Sequence, residues 1–146
     1  MKATGFPQLF LRIALGAGFL LPVMDRLGFF GGPGTTGVAW GDWPHFVDYS
    51  QTLMPFLSRQ VASLMGGAAT FAEIVFGICL VLGFRTKLMG AGAALLTFVF
   101  ALFMMTSLGL SAPFDYPVFV FTGGGLVLAG LDPFKWSIDS LGDKRA

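Results

Sequence analysis

Residues 61–82 read VASLMGGAATFAEIVFGICLVL, residues 88–110 read LMGAGAALLTFVFALFMMTSLGL, and only GFRTK separates them. Each stretch reaches the roughly 20 apolar residues that a helix needs to cross a bilayer. The link is short enough to be a tight turn, so the two read as a helical hairpin. Glu73 is the one charge in either stretch. A charge at bilayer depth costs at least about 2.5 kcal/mol, so it needs a partner or a job.

Working outward, two more apolar stretches complete the pattern. One runs from Pro7 to about Met24 and contains Arg12; the other runs from about Tyr116 to Leu131. The sequence thus predicts an all-α integral membrane protein, a four-helix bundle with spans at about 7–24, 61–82, 88–110 and 116–131. An outer loop covers 25–60 and a tail covers 132–146. Composition agrees. Charged residues are 12% of the 146 and mean hydropathy is +0.77, whereas a soluble domain carries about 25% charged residues. The length fits one domain. A net charge of +1 gives no electrostatic support for nucleic-acid binding. The single cysteine, Cys79, excludes an internal disulfide. Residues 1–21 have signal-peptide features, but Arg12 interrupts the apolar run and three more spans follow, so the first helix is expected to be retained.

The connecting segments have their own patterns. Gly28–Gly41 is too glycine-rich for a helix. Asp42 then reads as an N-cap with Pro44 in the first turn. Trp43, Phe46, Val47 and Met54 follow near helical spacing, which predicts a short interfacial helix anchored by Trp40 and Trp43. In the tail, Asp132-Pro133 reads as another cap, with Phe134, Ile138 and Leu141 on one row of a second short surface helix. Lys2, Arg85, Lys87, Lys135, Lys144 and Arg145 fall on one side of the spans, against Arg26 and Arg59 on the other. The positive-inside rule then places both termini in the cytoplasm and the first loop outside. The expected topology is multi-pass.

Gly is 21 of 146 residues, and each span holds a small-xxx-small pair: Ala14/Gly18, Ala68/Ala72, Gly90/Ala94 and Gly125/Ala129. Such pairs let membrane helices approach closely. Gly123, Gly124 and Gly125 form a side-chain-free strip that a neighbouring helix or a flat ligand would fill. Arg12 and Glu73, counted from the cytoplasmic ends of their spans, differ in depth by only about 5 Å. They are expected to pair in the interior, either to fix helix register or to form a proton or headgroup site. Asp25, Arg26 and Asp115 fall at the outer rim. His45 stands alone, so no metal site is expected, and no P-loop, dinucleotide, nucleophile-elbow or zinc motif occurs.

The stretch from Leu11 to Phe19, LRIALGAGF, resembles the first-helix signature of DoxX membrane proteins. Glu73, Gly77 and the run LVLGFRTK at 80–87 resemble that family's second motif. The span plan, the long first loop and the length agree, so the resemblance covers nearly the whole chain. It implies a four-helix subunit of a bacterial cytoplasmic (inner) membrane assisting quinone-linked redox or oxidative-stress chemistry, as an accessory subunit of an oxidoreductase. A quinone would be its ligand, a redox protein its partner and Arg12 and Glu73 its polar site, with no covalently bound cofactor. Related bundles use cysteine pairs, which this chain lacks, so thiol exchange does not carry over. The residues leave two other readings open. One is a non-enzymatic scaffold that recruits partner proteins. The other is a small-solute carrier with Glu73 as proton site, which at this length would need homo-oligomers.

Overall fold

The computed structural model describes residues 5–142; its regular elements are helices, with no strand among the described residues. The basic residues Lys2, Lys144 and Arg145 counted above lie outside the described residues. In chain order the helices are α1 (Gly5–Arg26), α2 (Trp43–Leu53), α3 (Arg59–Leu82), α4 (Thr86–Leu108), α5 (Ala112–Asp115), α6 (Val118–Gly130) and α7 (Asp139–Gly142). Three of them, α1, α3 and α4, are long and apolar enough to cross a membrane. At 1.5 Å per residue they run about 33–36 Å, against a hydrocarbon core of about 30 Å. With 13 residues, α6 is equally apolar but only about 20 Å long.

The helix ends follow local chemistry. Ser58 caps α3 by accepting from the Val61 N–H. At the other end Gly83, at φ 68°, closes a Schellman turn: Phe84 N–H donates to Cys79 O and Gly83 N–H to Leu80 O. Asp42 caps α2 through the His45 N–H at 2.9 Å. The Asp42 carboxyl is held below the usual range, first by that N–H and then by the His45 side chain. Tyr49, on the buried side of the same helix, is pushed up by burial, and Tyr116 nearby adds to this.

Packing is set by missing side chains. The helices α1 and α3 lie antiparallel where Gly16 meets Gly77: a Cβ on Gly16 would come within 2.9 Å of Gly77 O, and one on Gly77 within 3.1 Å of Gly16 O. The helices α4 and α6 approach in the same way at Gly90 and Gly125, with Ala94 and Ala129 beside them. So the small pairs on α4 and α6 do form a contact. On α1 and α3 a different pair does so, and Ala14 and Ala68 are exposed. Between the two helix pairs lies a core of Leu15, Phe19, Leu80, Ala93, Leu128 and Phe134. The outward faces carry exposed Leu64, Phe71, Ile78, Leu95, Phe98 and Val120, the side chains that hydrocarbon would solvate.

Two expectations are corrected here. The glycine strip is not one face. Successive residues turn about 100° around a helix, so Gly125 faces α4, Gly124 meets Leu11 and Leu15 of α1, and Gly123 opens outward with no atom near its Cβ position. The tail does not form a helix from Asp132. Residues 131–138 run as a strap across the end of α3, and only Asp139–Gly142 is helical. The strap's own hydrogen bonds explain this: Ile138 N–H donates to Leu82 O and Asp139 N–H to Gly83 O. Its carbonyls at 135 and 136 are also engaged from outside, as shown next.

Candidate functional site

Arg12 and Arg26 are 14 residues apart on α1, four helical turns, so they share the face that packs on α3. Both are buried, and they anchor two separate polar knots rather than one.

At the first knot the Arg12 guanidinium meets acceptors that are all uncharged. Nε donates to Leu80 O at 3.1 Å and Nη2 to Val81 O at 3.2 Å, at the C-terminus of α3. Nη1 donates to Lys135 O at 3.2 Å and to Gln8 Oε1 at 3.3 Å; Nη2 also reaches Trp136 O at 3.2 Å. Gln8 Nε2 joins by donating to Lys135 O at 2.8 Å. A cation at a helix C-terminus meets the negative end of the helix dipole and satisfies its orphan carbonyls. Gly83 is required here twice. Its φ is positive, and a Cβ would land on Ser137 and the Arg12 guanidinium. The strap then returns the favour to α4, whose first residues have no cap of their own. Asp139 accepts from the Arg85 N–H at 2.7 Å and the Thr86 N–H at 2.8 Å. It acts as an N-cap supplied from 53 residues away in sequence.

At the second knot Glu73 pairs with Arg26, not with Arg12. Arg26 Nη1 lies 2.8 Å from Glu73 Oε2, with both side chains buried. The approach lies off the hydrogen-bond axis, so Glu73 Oε2 has no aligned donor. Nη1 donates instead to Thr70 Oγ1 at 2.8 Å, Nε donates to Pro22 O at 3.1 Å, and the Thr70 hydroxyl donates in turn to Gly66 O. Over the guanidinium lie the rings of Phe46, at 4.1 Å, and Trp40, at 5.2 Å, in a cation–π arrangement. Asp25 beside it ties the first loop down: Oδ2 accepts from the Ala39 and Trp40 N–H groups at 3.1 and 3.0 Å, while Oδ1 is buried without a partner.

The expected Arg12–Glu73 pair is thus overturned, and register is the reason. With Gly16 against Gly77 and Arg12 against Leu80 and Val81, the antiparallel alignment sets Glu73 near the far end of α1. It leaves Glu73 seven to eight residues, or about 11 Å, from the level of Arg12. Helix α1 also continues to Arg26, two residues beyond the expected span, which turns a rim residue into a buried one. Asp25 is buried as well, and of the three expected rim residues only Asp115 is exposed. His45 sits at the surface against Asp42 at 2.7 Å. Among the described residues no group of three or more His, Cys, Asp or Glu side chains gathers for a metal. Sequence reasoning missed Gln8, Thr70, Asp139 and the aromatic cover. The 14-residue spacing of the two arginines was the available signal for Arg26.

No protein-family model matches the chain, and no curated protein or solved structure does either.

Proposed function

We propose that this chain is a DoxX-like inner-membrane protein with four spanning segments, α1, α3, α4 and α6, and that its internal charges are structural. Its role is that of a non-catalytic scaffold that recruits partner proteins at its ends. The supporting observation is that each buried arginine is already engaged by protein groups: Arg12 by helix and strap carbonyls, Arg26 by Glu73, Thr70, Phe46 and Trp40. Both termini are cytoplasmic in this reading, α2 lies at the outer surface, and α6 crosses where the bilayer thins.

A quinone-linked accessory role is the second reading. Glu73 Oε2 and Asp25 Oδ1, two buried oxygens without aligned donors, favour it, since a ligand hydroxyl would satisfy one of them. Against it, Phe46 and Trp40 already occupy the face of Arg26 on which a ligand ring would stack. Glu73→Gln separates the readings, as it keeps size and polarity and removes the charge. In a deletion strain under oxidative or thiol stress, at matched membrane levels, a folded Glu73→Gln protein is expected to complement fully. Loss of complementation by the folded variant would overturn the scaffold reading and favour a proton or headgroup site.

A further inference from the structure

Among the described residues, only Arg85 (φ 47°) and Trp136 (φ 52°) are non-glycine residues with positive φ. Both sit at one end of the molecule, on the α3–α4 turn and the strap. Left-handed backbone is unfavourable for bulky side chains and persists where the surroundings over-determine it. Arg12 holds the Trp136 carbonyl and Asp139 holds the Arg85 N–H. Trp136 is 65% exposed, with the edge of its indole against Gly5 of α1.

Beside it the strap forms a shallow hollow with amphiphilic walls. Leu82, Trp136, Ile138 and Leu141 make the apolar part, and all four are exposed. Lys135 is its cation; Ser137 and Ser140 complete the lining, which contains no carboxylate. Among the described residues, two acidic groups of the tail are engaged elsewhere: Asp139 by two backbone N–H groups, and Asp132 by Lys87 at 2.7 Å. Arg85 and Lys135 make no ion pair among the described residues.

We propose that this end of the molecule binds the headgroup of an anionic phospholipid, with Lys135 on the phosphate, Arg85 of the adjoining turn adding positive charge at the same end, and Trp136 at the interface. Apolar walls joined to a cation match an amphiphile, whereas a free phosphate would use only the cation. Interfacial placement of tryptophan and attraction of juxtamembrane basic residues to anionic leaflets are both general. The inference rests on the membrane reading, and its test separates the two.

The chain has three tryptophans, so the double change Trp40→Phe, Trp43→Phe leaves Trp136 as the one emitter. That protein is placed in nanodiscs of phosphatidylglycerol and phosphatidylcholine, with brominated chains on one lipid or the other at equal mole fraction. Brominated phosphatidylglycerol is expected to quench Trp136 several-fold more effectively, since each basic residue near an anionic lipid contributes roughly a factor of five. Salt and the pair Lys135→Gln, Arg85→Gln should both abolish that preference. Equal quenching by the two lipids overturns the headgroup site while leaving the membrane reading standing. No quenching by either also overturns the headgroup site, whereas failure of the protein to incorporate into lipid at all overturns the membrane reading. A preference that survives salt and the double substitution overturns the assignment to these residues. Should the double variant fail to incorporate, the salt series on the parent protein decides alone.

Discussion

Glu73 was legible in the sequence as a residue needing a partner, but its partner was not. Depth counted from assumed span ends pointed to Arg12. The Gly16–Gly77 contact fixes a register that brings Arg26 instead, and no single sequence displays which glycines will meet. Removing one member of a buried pair leaves an unpaired charge, typically at a cost of about 3–5 kcal/mol. Glu73→Ala is therefore expected to lower stability by that order in detergent unfolding, and Arg26→Met with Glu73→Leu to recover most of it. A double variant no more stable than the worse single one would show that the contact carries little energy. At the surface, Asp42 offers a pH test. Its carboxyl titrates lower in the folded chain than its ordinary value of 3.8, so its contribution to α2 is present above that value. The contribution is lost as the pH falls through the depressed folded value. Amide exchange in the first turn of α2 should accelerate over that acid window in the parent protein and be fast throughout in Asp42→Ala.

Among the elements, the long helices were readable because apolar length is a one-dimensional signal, and their ends shifted by only a few residues. The α2 start was readable from Asp42 and Pro44, since a cap acts on neighbours three residues on. The strap was not readable. Asp132-Pro133 looks like a cap and Phe134, Ile138 and Leu141 look like a helical row, yet the carbonyls of residues 135 and 136 turn to Arg12 and the N–H groups of 138 and 139 turn to α3. Those bonds span more than 50 residues, beyond any local pattern. Two substitutions test them. Gly83→Ala should destabilise the protein strongly, because the left-handed φ and the contact with Ser137 and Arg12 both oppose a methyl group. Asp139→Ala should cost about 1 kcal/mol, the usual value of a lost cap, and should speed amide exchange at Arg85 and Thr86. Unchanged exchange there would mean that the cross-chain cap is idle.

At the scale of the molecule, the two ends differ. Arg85 and Lys135 are exposed beside the strap, while Asp42, Asp48 and Asp115 lie on the loop and helices at the opposite end, with Arg59 answering Asp48 at 2.6 Å. This division favours the orientation with the strap inside, and cysteine labelling checks it. A cysteine within Gly31–Gly41 is expected to react with an impermeant maleimide on intact cells. Reaction only after lysis would reverse the topology. Legibility ended at function. An apolar periodic chain announces its solvent, but its partners depend on which side chains meet at helix ends, and no single sequence displays those meetings.

The strap is made after every long helix, at the N-to-C pace of synthesis, yet it supplies the stopper for α4 and the acceptors for Arg12. Without it, the first amides of α4 would lack their side-chain cap and Arg12 would keep only Gln8 and α3 as partners. The strap region therefore serves as a bolt on the finished bundle. Chains interrupted before residue 135 should be recognisable to membrane quality control by that open end.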